Sequence, residues 1–118
     1  MASLNMNGSY LFNKDKIDEV VTRTSAGNYA LGYVNDENAF IVQYVGRADI
    51  DLNARLKQHV GEPYKRFKFS YASSPKEAFE KECRNYHDFG ESKKLRNKIH
   101  PGRPKNSSWK CPCCTIFD

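Results

Sequence analysis

The chain has 118 residues, 39% hydrophobic and 28% charged, enough for one domain with a modest core and too few for two. No apolar run approaches the length of a membrane span, and Met1 to Tyr10 lacks the charged and apolar regions of a signal peptide, so the expectation is a cytoplasmic protein with no membrane partner. The net charge of +5 is uneven: residues 1–83 hold 11 basic and 11 acidic side chains and residues 84–118 hold 8 and 3, a footprint suited to a surface that meets a polyanion.

Taken in order, Asn13 caps a predicted helix over Lys14 to Thr22, whose Ile17, Val20 and Val21 form one apolar face. Gly27 to Val34 and Ala39 to Gly46 are rich in aromatic and β-branched residues and flank the polar turn Asn35-Asp36-Glu37-Asn38, which reads as a hairpin. Tyr29 and Tyr44 then lie on neighbouring antiparallel strands. Asp49 and Asp51 are placed to cap a helix with Leu52, Leu56 and Val60 as its apolar stripe, and Arg55 and His59, also i, i+4, sit beside that stripe. Gly61-Glu62-Pro63 breaks the chain. Arg66 to Ala72 alternates, with Phe67, Phe69 and Tyr71 on one face, and is the third predicted strand.

Ser74-Pro75 with Glu77 starts a second long helix, whose Ala78, Phe79, Cys83, Tyr86 and Phe89 fall in one apolar arc. Glu82 falls inside the same arc. A carboxylate on a buried face is costly unless it is paired, protonated or bound to a cation, so Glu82 calls for an ion pair, with Arg55 as a candidate partner, or a metal. Leu95 to Ile99 reads as a short turn or helix. From His100-Pro101-Gly102-Arg103-Pro104 onward the chain is an extended basic tail over 100–118 that carries cysteines.

Two phenols, a guanidinium and an imidazole near one sheet edge suit phosphodiester chemistry, because a guanidinium fork stabilises charge on nonbridging oxygens and a base must activate the attacking water. Gly27-Asn28-Tyr29, then Tyr44-Val45-Gly46, then Arg55 and His59, resembles the GIY-YIG endonuclease family over about Tyr29 to Asn97, with Asn28 where that family prefers an aliphatic residue. The resemblance implies an α/β fold over 24–99: a three-stranded antiparallel sheet flanked by helices. It also implies hydrolysis of DNA. Tyr29 would be the general base or its immediate partner, and Tyr44 would orient water or phosphate. Arg55 would offset charge on the phosphorane, and His59 would assist proton transfer. Glu82, in the pattern Ala78-x-x-x-Glu82, would hold one Mg²⁺ or Mn²⁺. Asn97 matches the family's late asparagine, with Asn106 as a rival. Partners besides DNA would be an additional targeting protein or a second copy in a homodimer.

In a reducing compartment cysteines are more often free, catalytic or metal-bound than paired. Cys83 and His87 are i, i+4 on one helix edge, and Cys111 and Cys114 form a C-x-x-C knuckle, so the four can close on a structural Zn²⁺ and pin the tail to the helix that carries Glu82. Cys113 and His100 are alternative ligands. Two other function classes stay open: a nucleic-acid-binding module that kept this fold without turnover, and a zinc-stabilised protein-interaction domain.

Overall fold

In the computed structural model, residues 4–97, 100–102, 108–114 and 116 are described. The Asn13 side chain accepts the Lys16 N–H at 2.7 Å and starts α1 (Lys14–Val20), whose Ile17 is fully buried. Next come β2 (Gly27–Val34) and β3 (Phe40–Ala48), antiparallel across a turn in which Asn35 Oδ1 accepts the Glu37 and Ala39 N–H groups. The capping oxygen of Asp51 accepts the Ala54 N–H at 3.2 Å and starts α2 (Leu52–Lys57). This helix is shorter than its periodicity predicts: His59 and Val60 lie in a turn with i→i+3 bonds back to Leu56 and Lys57, before Gly61 at φ +106°.

The sheet has four strands, not the predicted three. β4 (Arg66–Tyr71) pairs with the free side of β2, and β1 (Asn7–Leu11) pairs with β4, giving the order β1-β4-β2-β3 with every pair antiparallel. Asn7-Gly8-Ser9 has poor intrinsic strand preference and no alternation, so β1 exists only because β4 supplies a partner. Its Tyr10 packs against Phe67 and Phe69.

One face of the sheet is covered by α1 and α2 around Ile17, Tyr29, Leu31, Leu52, Leu56, Phe67 and Phe69. Phe67 is fully buried there, a burial worth about 1.5–3 kcal/mol. Across the other face runs α3 (Pro75–Asp88), over Ala30 and Val45. Ser74 caps it, accepting the Glu77 N–H at 3.1 Å, and the Glu77 carboxylate reaches back to the Ser73 hydroxyl at 2.6 Å rather than to Ser74. After α4 (Glu91–Lys94), Arg96 donates its N–H to the Gln43 carbonyl at 2.6 Å, so the chain returns to the β3 edge. No described helix is long and apolar enough to cross a membrane.

A bulge in β3 decides where Tyr44 points. Leu31 pairs with Tyr44 but Gly32 pairs with Val42, leaving Gln43 as the extra residue. Phe40 and Val42 therefore pack on the α3 side, whereas Tyr44 joins Tyr29 on the opposite face. Glycine is required at position 32, because a Cβ there would overlap the Ile41 carbonyl of the bulged strand.

Candidate functional site

A cleft of about 610 Å³ opens beside the end of β3 and the start of α2. Tyr29, Tyr44, Arg55, Glu82 and Asn97, five of the six residues named from sequence as catalytic, line it. The sixth, His59, sits directly behind: its Nε2 is 2.8 Å from the Tyr29 hydroxyl. The Tyr29 and Tyr44 rings stack at 6.4 Å with 19° between planes, and the His59 ring lies 5.1 Å from that of Tyr44.

Gly46 makes this arrangement possible. It is the cross-strand partner of Tyr29, and a Cβ on it would collide with the Tyr29 ring and hydroxyl. The tripeptides Gly27-Asn28-Tyr29 and Tyr44-Val45-Gly46 are thus two halves of one steric fit: a phenol laid flat on a neighbouring glycine. Asn28 faces the other way, toward α3, where it donates to the Ala78 carbonyl at 2.8 Å while its Oδ1 is buried without a partner.

Tyr29 is fully buried beneath the cleft. Burial pushes its phenol well above the usual range, and the nearby Arg55 guanidinium only partly opposes this. Tyr44 is raised for the same leading reason, reinforced by the Glu82 charge. The His59 Nδ1 lies 3.1 Å from both Glu62 oxygens. An ionised carboxylate can only accept, so Nδ1 carries a proton and, in the neutral ring, Nε2 accepts the Tyr29 hydroxyl. Tyr29, His59 and Glu62 form a continuous hydrogen-bonded chain.

Glu82 is the buried carboxylate that the α3 pattern predicts, but its partner is Arg47 and not Arg55. Arg47 Nη1 donates to Glu82 Oε1 at 2.6 Å and its Nε donates to Asp49 at 2.9 Å. Burial raises the Glu82 carboxyl, and the Arg47 charge pulls against that shift. Arg55 reaches instead along its own helix to Gln58 Oε1 at 2.6 Å and stays exposed on the cleft wall. Arg47 was missed from sequence, although it is the one charge in β3, and a charge in a strand covered on both faces needs a partner.

Asn97 is buried, and its amide brackets Val45: Oδ1 accepts the Val45 N–H at 3.0 Å and Nδ2 donates to the Val45 carbonyl at 2.7 Å. It extends the β3 ladder with a side chain. Its rival Asn106 lies outside the described residues.

A second cluster lies at the far end of α3. Donor atoms of His87, His100, Cys111 and Cys114 all lie within 4.8 Å of one another, a set able to hold a metal such as zinc. Cys83, predicted as a ligand, stands outside it and His100 takes its place. The i, i+4 spacing puts Cys83 one helical turn further back, where it is fully buried with Phe79, and burial raises its thiol. Cys113 is exposed and contributes its backbone, donating its N–H to Cys111 Sγ at 3.4 Å. Burial raises the Cys111 thiol, but hydrogen bonds led by that N–H bring it down to about 6. Comparison with family models, curated proteins and solved structures gives no match to this chain.

Proposed function

We propose that the chain is a metal-dependent endonuclease of GIY-YIG type that hydrolyses DNA phosphodiester bonds in the tyrosine-lined cleft. The observation that carries this reading is the meeting of both motif tyrosines, an exposed arginine and a buried glutamate in one water-accessible cleft. The resemblance of the two tripeptides supports it.

The attacking water gives its proton to the Tyr29 oxygen as Tyr29 gives its own to His59 Nε2, so the phenol never stands as a free phenolate, which its burial opposes. Glu62 holds the imidazole in the accepting tautomer. Arg55, exposed on the cleft wall, exchanges its bond to Gln58 for a fork onto the nonbridging oxygens. Tyr44 orients water or phosphate. Glu82 is the hard oxygen donor for one Mg²⁺ or Mn²⁺, with Asp49 also lining the cleft, and a hard cation that keeps most of its waters fits so sparse a donor set. When bound, that ion polarises the phosphate and stabilises the leaving oxygen. Arg47 holds Glu82 in place through its 2.6 Å ion pair and favours its charged form against burial.

The test is supercoiled plasmid with Mg²⁺ or Mn²⁺. Wild type should nick it, and Glu82→Gln, with its helical circular dichroism retained, should bind the same DNA without nicking; undiminished nicking by this variant overturns the assignment. One observation favours a second reading, a DNA-binding domain without turnover: the Arg47 ion pair already compensates Glu82. Binding by wild type with no nicking under either metal selects it.

A further inference from the structure

We infer that His87, His100, Cys111 and Cys114 form a closed tetrahedral zinc site that fastens the tail to the end of α3 and holds Pro101 and Gly102 on the wall of the cleft. The inference is independent of the hydrolase reading.

The two sulfurs and two imidazoles have the composition of a structural zinc site, and four donor atoms within 4.8 Å of one another leave no position open for a substrate. The decisive feature is the outer partner of each histidine. His87 Nδ1 lies 2.5 Å from the Glu91 carboxylate and His100 Nδ1 lies 2.8 Å from the Pro101 carbonyl. Both partners can only accept, so both Nδ1 atoms carry the proton and both Nε2 atoms present a lone pair. His100 Nε2 is 3.5 Å from Cys114 Sγ, and His87 Nε2 is buried with no hydrogen-bond partner. A buried, unpaired imidazole nitrogen costs free energy that a metal bond removes. Ligating histidines that donate their other N–H to a carboxylate or carbonyl are the usual outer arrangement of zinc. Residues 108–114 have no helix or strand to hold them, and Cys111 is nonetheless buried against Phe79 and Cys83. Metal binding supplies the missing constraint. Because His100 is followed directly by the cleft-lining Pro101 and Gly102, the same ligand anchors the wall opposite α2.

Protein purified without added metal should contain one zinc per chain. Replacement by Co²⁺ should give the visible bands of tetrahedral cobalt with a sulfur charge-transfer band of two-thiolate strength. Cys83→Ala and Cys113→Ser should keep full zinc, whereas His100→Ala should lose it to a competing chelator and Glu91→Ala should weaken affinity about 10- to 100-fold. Zinc-free wild type, a three-thiolate cobalt spectrum, undiminished affinity in His100→Ala, or loss of zinc from folded Cys83→Ala would each overturn the site. Metal content and the cobalt spectrum are read on wild type, so a variant that fails to fold leaves the decision intact.

Discussion

The two faces of the sheet differ in how they treat polar atoms. On the α1 and α2 side the buried polar groups are satisfied: the Tyr29 hydroxyl meets His59, His59 meets Glu62, and the rest is aromatic and aliphatic packing. On the α3 side Asn28 Oδ1 and Asn85 Nδ2 are buried without partners, and burial raises the Glu82 carboxyl while the Arg47 guanidinium pulls against that shift. The first face carries this hydrogen-bonded chain on a well-packed support. The second holds the Arg47–Glu82 ion pair beside two unpartnered polar atoms. Both faces of the four-stranded sheet thus contribute to the candidate site, one through a hydrogen-bonded chain and the other through a buried ion pair.

The sharpest test of the first face is Tyr29→Phe, which removes one hydroxyl and leaves the ring on Gly46. Cleavage should fall by about 10²- to 10⁴-fold, the range for a lost proton-transfer group, with DNA affinity unchanged. A wild-type single-turnover rate would detach the proton path from the chemistry. Gly46→Ala strikes the same face through packing: the added methyl meets the Tyr29 ring, and urea unfolding should report a loss of about 1–3 kcal/mol. An unchanged midpoint would mean that the ring does not rest on Gly46. The smallest effect is expected on the opposite face. Asn28→Val removes a bond to Ala78 together with an unpaired acceptor, so the two changes offset and stability should move by less than about 1 kcal/mol. A large loss there would show that the polar contact to α3 is essential, and the two faces would then be less different than their hydrogen bonding indicates.

Local pattern accounts for much of this molecule. The Asn13, Asp51 and Ser74 caps, the hairpin around residues 35–38, the alternation of β4 and the buried position of Glu82 are all consequences of neighbours within a turn or two, which is the range over which periodicity and capping act. The tyrosine tripeptides were legible for the same reason, since each is a local steric requirement on a pleated strand. What the chain alone left undecided involves partners far apart in sequence. β1 needs β4, 60 residues away at the pairing of Gly8 with Lys68, to become a strand at all. Gln43 becomes a bulge only when β3 meets β2, and that single extra residue turns Tyr44 toward Tyr29. Glu82 takes Arg47 rather than Arg55 because α3 crosses β3, while Arg55 stays on the far wall of the cleft. His100 replaces Cys83 among the candidate ligands because burial against Phe79 holds the thiol in the core. Spacing along the chain sets which side chains share an edge; only the packed structure sets how deep each one lies and which neighbour it meets there.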